Sequence, residues 1–333
     1  MNVNEMFSRL QLPVESELPG FDGATGWLNT EPLTPSGLRG KVVAVDFWTF
    51  TCINWLRTLP YIRAWAHTYA DKGLVMVGVH TPEFGVEHDI DNIRREAHAM
   101  GVDYPIAIDN DYAVWEAFAN RYWPALYVAD AEGHIRHHHF GEGGYERSER
   151  VIRQLLADAG AVDLPDGPVP VDARGIELSA DWDNVRSPET YVGYARSEGF
   201  ASPGGVAYDE PRVYALPPKL HVNEWALAGA WTVGREETVS NEANGRIVYR
   251  FHARDLHLIL EPPAQPAPAR YRVLLDGQPP GAAHGLDVDE EGNGVVAAPR
   301  LHQLIRQHGD ITDRQFEIEL LDPGAAALCF TFG

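Results

Sequence analysis

One of the two cysteines, Cys52, lies in the stretch WTFTCINW, which runs from Trp48 to Trp55. The apolar, β-branched run KVVAVDFW predicts a buried strand that ends at about Trp48, and a helical pattern begins at about Ile53. Cys52 is therefore expected at a helix N-terminus, where unpaired backbone N–H groups and the helix dipole favour a thiolate and lower the pKa of the thiol. A thiolate at neutral pH is a nucleophile. A buried, inert cysteine is the equally open alternative.

The position three residues after Cys52, where a Cys-x-x-Cys pair would place its second cysteine, is occupied by Trp55. Residues three apart share one side of a helix, so Trp55 should lie beside Cys52. There it could cover the sulfur or offer an apolar platform to a substrate. Thiolate attack on a disulfide gives a mixed disulfide, and exchange continues only if another thiol attacks. That thiol would have to come from glutathione or from another protein.

Composition and charge exclude several classes of partner. The formal net charge is −21, and both halves of the chain share the acidic excess, so no basic face is available for nucleic acid or an anionic membrane surface. No run of 18 apolar residues exists, so membrane insertion is not expected, and no secretory signal is visible at the N-terminus. Two cysteines exclude a disulfide framework. These features predict a cytoplasmic protein.

Strands alternate with helices over residues 41–160, which predicts an α/β layer around a mixed sheet. The strands are expected at 41–48, 74–80, 104–108, 124–130 and 134–140. The helices are expected from about residue 53 to Gly73 and at 87–101, 111–121 and 146–160. The last two strands are joined by a tight turn, so they should form an antiparallel hairpin at one edge of the sheet. Residues 1–40 are loop-like and are expected to form an extension partly packed on this domain.

The pattern changes after residue 160. Residues 161–175 are rich in Pro, Gly and Asp and predict a linker. Over residues 176–333, short β-rich runs recur between turn residues, which predicts an all-β sandwich or jelly roll. Residues 299–309, PRLHQLIRQHG, fit either one helix or a turn and a strand.

The motifs carry a specific family resemblance. VDFWTFTC resembles the active-site approach of the thioredoxin superfamily, and YWPALYVAD resembles that family's cis-proline segment. The runs LRTLPY, GVHTPEF, YPIAIDNDYAVW and GEGGYERSERVI resemble the TlpA-like branch and, within it, the soluble C-terminal part of DipZ-type proteins. The resemblance spans roughly residues 35–333. It implies a thioredoxin fold with an extra strand and helix, joined to a carbohydrate-binding-module-like β-sandwich.

The resemblance also implies roles for individual residues. Cys52 matches the nucleophilic cysteine, Asp46 the buried acid that carries a proton, and Glu83 a glutamate that tunes the thiols. Pro124 matches the cis-proline that presents backbone groups to a peptide. The predicted catalytic residues are thus Cys52, Asp46 and Glu83, and the predicted substrate-binding residues are Trp48, Trp55, Trp123 and Pro124. The family pattern has a second cysteine at position 55, where this chain has Trp55. The pattern also has a membrane-embedded domain upstream, which is not expected here.

Other sites are weaker. The histidines at 134 and 137–139 have no cysteine or carboxylate at metal-ligand spacing, so no metal site is predicted, and no cofactor is implied. Trp182, Tyr191 and Tyr194 are candidates for stacking on sugar rings, although aromatic residues of β-sandwiches more often fill the core. Cys329 is expected to be a buried structural residue.

The sequence supports three hypotheses of function. The leading one is thiol–disulfide exchange through Cys52 in a monothiol or impaired form, acting on a disulfide-containing protein or a small thiol. The second is a redox-inactive protein that binds peptide or carbohydrate. The third is a thiol peroxidase, because Thr49 and Cys52 reproduce the T-x-x-C spacing of peroxiredoxins, although Val45 replaces the expected proline.

Overall fold

The computed structural model describes residues 9–264 and 268–333, and the chain divides into two compact units, Met1–Glu177 and Leu178–Gly333. Along the described residues, no helix is both long and apolar enough to cross a bilayer. The finer boundaries drawn from the sequence, at residues 40, 160 and 175, remain a prediction.

The first unit contains a seven-stranded mixed sheet in the order β1-β7-β6-β3-β4-β5-β2. Strands β3, β4 and β5 are parallel, and every other pairing is antiparallel. The strands are β1 (Ser16–Glu17), β2 (Gly26–Leu28), β3 (Val42–Trp48), β4 (Leu74–His80), β5 (Ile106–Ile108), β6 (Ala125–Ala129) and β7 (His134–Phe140). The predicted α/β thioredoxin fold is confirmed in this unit.

Helices cover both faces of this sheet. They are α1 (Ile53–Tyr69), α2 (Ile90–Ala99), α3 (Ala113–Ala117) and α4 (Tyr145–Asp158). Alternate residues of a strand point to opposite faces, so Val45 and Phe47 pack in a cluster with Val114 of α3, while Asp46 contacts α1. Helix α1 is extended by a 3-10 turn, Ala70–Lys72, and ends where Gly73 adopts a left-handed φ of 102°.

Two local predictions for this unit are wrong, and one predicted helix begins later than expected. The helix expected at 87–101 is a 3-10 turn, Gly85–His88, followed by α2, because the Asp89 carboxylate caps the Asp91 amide at 2.8 Å and starts the helix there. The β6–β7 hairpin forms, but it is not the edge, since β1 pairs with the outer side of β7. The N-terminal segment thus supplies two short edge strands rather than loop alone.

The second unit is all β, as predicted, and its described residues form eleven strands in a curled sandwich. Nine follow the order β15-β14-β17-β12-β10-β11-β18-β13-β16, while β8 pairs with β18 and β9 with β10. The strands are β8 (Thr190–Tyr191), β9 (Pro211–Tyr214), β10 (Trp225–Val233), β11 (Thr238–Ser240), β12 (Gly245–Phe251), β13 (Asp255–Glu261), β14 (Ala269–Leu275), β15 (Asn293–Val296), β16 (Arg300–Arg306), β17 (Arg314–Leu320) and β18 (Ala326–Phe332).

Strand β10 joins the two layers of the sandwich. Its first half pairs with β12 and its second half with β9 and β11, and the change occurs at Gly229. Gly229 has a φ of 95°, which a side chain would strain, and its position approaches the backbone of Gly245. Trp225 and Trp231 from this strand are fully buried in the apolar core. The ambiguous segment 299–309 forms strand β16 rather than a helix.

Candidate functional site

Cys52 is the N-cap residue of α1, as the sequence predicted. It has an extended backbone (φ −74°, ψ 111°), and its carbonyl accepts the first helical hydrogen bond, from the Leu56 amide at 2.9 Å. The thiol makes no side-chain capping bond to the helix, and the residue is half-buried. The first turn of α1 contains no acidic side chain. The helix N-terminus is therefore positioned to stabilise negative charge on this sulfur.

Trp55 lies in the interior rather than at the surface. Its side chain is fully buried, and its indole Nε1–H donates a hydrogen bond of 2.7 Å to Oδ2 of Asp46. Its ring stacks on Trp48, with centroids 4.3 Å apart and planes 22° from parallel. The residue that replaces the second cysteine thus serves as a hydrogen-bond partner for the buried acid.

Asp46 is fully buried in the middle of the sheet. Burial raises its pKa to about 7, although the bond from Trp55 works in the opposite direction. The second oxygen, Oδ1, has no hydrogen-bond partner among the described residues. Asp46 lines a small cavity that is also lined by Pro124, Trp65 and His139. This carboxyl can exchange a proton near neutral pH.

The peptide bond between Trp123 and Pro124 is cis, as the resemblance implied. The Trp123 indole donates to the Thr81 carbonyl at 3.1 Å and lies 4.2 Å from the ring of Trp115. The Pro124 carbonyl accepts a bond from the Gly141 amide at 2.8 Å. Pro124 lines the same small cavity as Asp46. The Trp123 side chain is held by its hydrogen bond to the loop that follows β4.

Exposed aromatic rings flank this segment. Tyr122 is 53% exposed and Phe140 is 40% exposed, and their centroids are 5.0 Å apart. Phe140 pairs with Ala125, the residue after Pro124. Trp48 and Trp55, by contrast, are fully buried, so direct contact with a substrate would require them to move. Their substrate-binding role remains a prediction.

The loop after β4 contains two glutamates with different environments. Glu83 is half-buried, and its backbone amide donates to Glu87. Glu87 is completely buried and accepts the Thr51 hydroxyl at 2.6 Å and the amides of Glu83 at 2.6 Å and Phe84 at 3.1 Å. Burial raises the pKa of Glu87, while the hydroxyls of Thr49 and Thr51 lower it. Sequence reasoning selected Glu83 and did not find Glu87.

His80 is a second residue that sequence reasoning missed. It ends β4 and is fully buried, with Phe50 stacked at 5.7 Å and Trp48 edge-on at 4.8 Å. Neither ring nitrogen has a hydrogen-bond partner in the described part of the chain, and burial lowers the pKa of His80 to about 3. The one signal in the sequence for His80 was its position at the carboxyl end of a strand that is parallel to β3. For Glu87 the signal was a glutamate at the third position of a turn, which is half of a capping box.

The histidine cluster does not gather metal ligands. His134 and His138 pair with Glu17 and Glu15 across β1 and β7, and His137 contacts the Ser148 hydroxyl at 3.2 Å. Within residues 9–264 and 268–333, no three His, Cys, Asp or Glu side chains are arranged as a metal site requires.

The candidate sugar-stacking residues of the second unit have separate environments. Trp182 is 60% exposed. The Tyr191 ring carries the Arg196 guanidinium 3.5 Å from its centroid, and the Tyr194 hydroxyl donates to Asp209 at 2.9 Å. Carbohydrate binding by these residues remains a prediction. Cys329 is fully buried in β18, as expected.

Comparisons with known proteins agree with the fold. Residues 14–138 match the AhpC/TSA family, and residues 187–333 match the family described as thioredoxin like C-terminal domain. Protein DipZ of Mycobacterium bovis is 40% identical over 288 residues, which cover 85% of this chain and 39% of DipZ. The thiol-disulfide oxidoreductase YkuV of Bacillus subtilis is 29% identical over 147 residues, 44% of this chain and 99% of that protein.

Among solved structures, a thioredoxin-like protein in its oxidized form is 32% identical and matches 44% of this chain and 97% of its own, with a TM-score of 0.41. The fold, the cysteine at the start of α1 and the cis-proline are those of a thioredoxin-like protein, and the relatives of this chain include a thiol-disulfide oxidoreductase. Within that class, the chain is a DipZ homologue. It spans about two fifths of the length of the DipZ proteins that it matches.

Proposed function

We propose that this protein catalyses thiol–disulfide exchange through Cys52 alone and depends on an external thiol to complete each cycle. The observation that carries the proposal is the N-cap position of Cys52, combined with an indole in the core where a second thiol would stand. The oxidoreductases among the relatives support the reaction class. The substrates would be proteins or peptides that contain a disulfide.

The reaction requires no net oxidant. The Cys52 thiolate attacks one sulfur of a substrate disulfide, forms a new S–S bond and releases the other sulfur as a thiolate. A low-molecular-weight or protein thiol then attacks the substrate sulfur of the mixed disulfide. This second step regenerates the Cys52 thiolate and leaves the substrate joined to the incoming thiol. Positive potential at the start of α1 favours the thiolate that both steps use or release.

The test is capture of the mixed disulfide by intact mass after the full chain is mixed with a peptide disulfide. The wild-type protein and Cys329→Ser should each gain one peptide half, and Cys52→Ser, the matched control, should gain none. Addition of glutathione should release the adduct. Trp55→Cys should convert the trapped adduct to an intramolecular disulfide without added thiol, since a resolving cysteine is restored.

Other results would favour the alternatives. If the labelling of Cys52 by iodoacetamide has a pH midpoint at or above about 8.5, the value for an ordinary cysteine, the exchange proposal fails. A redox-inactive binding protein would then be the better description, and the exposed rings of Tyr122 and Phe140 beside Pro124 would be its peptide contacts. The AhpC/TSA match makes peroxide the second substrate to try. Conversion of Cys52 to sulfenic acid, with peroxide reduced to an alcohol or water, would indicate a peroxidase if it outpaced disulfide attack.

A further inference from the structure

Asp46 and His139 lie on the same face of the seven-stranded sheet, two strands apart. Asp46 of β3 pairs with Leu126 of β6, and Leu126 pairs with His139 of β7. Residues that pair directly across strands point to the same face, so His139 is on the α1 side together with Asp46. Neighbouring strands are about 4.8 Å apart, so about 10 Å separates the two Cα atoms. Two side chains and one water molecule can span that distance.

A small cavity beside helix α1 brings three polar atoms together. Asp46, His139 and Trp65 of α1 all line it. Asp46 Oδ1, His139 Nε2 and Trp65 Nε1 are buried and have no hydrogen-bond partner among the residues that the structure describes. Three other polar side chains line the same cavity, and each already has a partner: Thr58, Tyr145 and Ser148. The unsatisfied atoms are therefore one acceptor, one donor and one imidazole nitrogen that can be either.

One water molecule fits this cavity in size and in chemistry. The volume is about 10 Å³, roughly the least that holds a single water. A buried water typically makes about three hydrogen bonds to polar groups that lack other partners. Here the Trp65 indole would donate to the water, while the water would donate to Asp46 Oδ1 and to His139 Nε2. Each of the three atoms would thereby gain a partner, which removes the cost of burying it unpaired.

Trp55 determines which oxygen of Asp46 carries a proton. Its indole N–H donates to Oδ2 at 2.7 Å, so Oδ2 acts as an acceptor. When Asp46 is protonated, the proton is therefore expected on Oδ1. His139 connects this group with solvent, because it is half-buried whereas Asp46 and Trp65 are fully buried. The exposed Gly144 lies next to the ring of His139, since a Cβ atom there would be 2.9 Å from Nδ1.

Other titratable groups around the buried carboxyl and the cavity do not take this role. The hydroxyls of Tyr104 and Tyr145 stay protonated near neutral pH, because burial raises the pKa of each above its usual value. Burial lowers the pKa of His137 to about 4, so that imidazole is neutral in the same range. Arg57 and Glu142 pair with each other at 3.3 Å. The remaining imidazole at the cavity is therefore the group that can pass a proton on.

We propose that Asp46, Trp65 and His139 bind one buried water molecule, and that this water and His139 carry protons between Asp46 and solvent. To release a proton, Oδ1–H passes it to the water, and the water passes one of its own protons to Nε2 of His139. The imidazolium then loses the Nδ1 proton to solvent, which leaves a carboxylate, an intact water and a neutral imidazole. Uptake runs through the same bonds in reverse. The proposal goes beyond the proposed function, because no step involves Cys52.

The water site is tested by a high-resolution crystal structure of the full chain. A water is expected at about 2.7–3.2 Å from Asp46 Oδ1, Trp65 Nε1 and His139 Nε2. In solution, the indole proton of Trp65 should show a nuclear Overhauser effect to long-lived water, and Trp65→Phe assigns this signal by removing it. A cavity without an ordered water, or an indole proton without the effect, would overturn the site.

The proton path is tested by time-resolved infrared spectroscopy of the full chain. A laser-induced drop from about pH 8 to about pH 6 crosses the pKa of Asp46, which is about 7. The C=O band of its protonated carboxyl is identified as the band that Asp46→Asn removes. His139→Leu should slow the rise of this band at least about tenfold, because no imidazole remains to relay the proton.

His138→Leu is the matched control for the proton path. It makes the same change at the neighbouring residue, whose side chain lies on the opposite face of β7 and pairs with Glu15 at 2.6 Å. The rise of the carboxyl band should keep the wild-type rate in this variant. Slowing equal to that of His139→Leu would overturn the relay, because it would show a general disturbance of β7.

His139→Gln separates hydrogen bonding from proton relay and covers the case in which His139→Leu does not fold. A glutamine amide can bond to the water but does not relay a proton. The water should therefore remain in the crystal structure of this variant while the carboxyl band rises slowly. A wild-type rate in His139→Gln would overturn the relay. Capture of the mixed disulfide at Cys52 is a separate measurement, so failure of the proposed function would leave these results unchanged.

Discussion

The two faces of the seven-stranded sheet differ in chemistry although the same strands form both. Toward α3, β3 and β4 present only apolar side chains, which pack as one cluster with α3 and the N-terminal segment. Toward α1, the same two strands present a buried acid, a buried imidazole and an indole. The residues of the apolar face are Val43, Val45, Phe47, Val77 and Val79, and those of the other face are Ala44, Asp46, Trp48, Met76, Gly78 and His80.

Hydrogen bonding sharpens this difference. On the α1 side, Asp46 Oδ1, Trp48 Nε1, both nitrogens of His80 and the Tyr104 hydroxyl are buried without partners among the residues described. Buried polar groups are normally paired, so several such groups on one face make that face less well satisfied than an ordinary protein core. On the α3 side the buried side chains of these strands are all apolar, as in an ordinary protein core. The two faces thus differ in how fully their buried groups are satisfied.

The largest effect is expected on the apolar face. Phe47 is fully buried and makes edge contacts with Trp115, Phe118 and Tyr127 at 5.2–5.8 Å. Phe47→Ala should therefore lower the free energy of unfolding by about 3–5 kcal/mol, measured by chemical denaturation. The pH profile of Cys52 labelling should not move in the folded variant. A shift of that profile by about one pH unit or more would show that the two faces are coupled.

A smaller, pH-dependent effect is expected on the α1 face. Because burial raises the pKa of Asp46 from 3.8 to about 7, the folded state binds a proton more tightly than the unfolded chain. The stability that Asp46 contributes is therefore fully present below about pH 4 and is lost as the pH rises toward 7. Asp46→Asn removes this proton linkage.

The measurement is the free energy of unfolding of wild type and Asp46→Asn between pH 4 and pH 8. As the pH rises from 4 to 8, the free energy of unfolding of the variant should increase relative to that of the wild type by at most about 4 kcal/mol. All other acids are common to both proteins, so the difference isolates Asp46. A difference that stays constant with pH would mean that the pKa of Asp46 is not raised. It would also mean that the buried carboxyl on the α1 face is not poorly hydrogen-bonded.

The smallest effect is expected at Gly78, which pairs with Asp46 across β3 and β4. A Cβ atom at this position would lie 2.7 Å from Nε1 of Trp48 and 3.1 Å from the Tyr104 ring. Gly78→Ala should cost about 1–3 kcal/mol in the free energy of unfolding, because the indole has to shift. Val79→Ala, on the opposite face of the same strand, is the control for general loss of packing. A neutral Gly78→Ala would show that the indole layer is loosely packed.

Much of the first unit followed from local pattern. The apolar runs of β3 and β4 and the glycine at position 73 predicted their elements within about two residues, since burial and backbone freedom act on neighbouring residues. The segment at 299–309 was ambiguous, because a short apolar run fits both periods. This segment pairs with β13, a strand about 45 residues earlier, and it therefore forms strand β16 rather than a helix.

The sequence by itself determined the place of Cys52 in the fold: a cysteine between a buried strand and a helix must lie at the helix start, wherever the rest of the chain goes. It also determined that no thiol follows at position 55. Only the tertiary structure decided what Trp55 does, because the indole bonds to Asp46, nine residues away on another element. The environment of Glu87 was likewise a tertiary outcome, because its buried carboxyl accepts a hydrogen bond from Thr51, 36 residues earlier. Spacing along a chain does not encode such contacts, since they depend on which strands become neighbours.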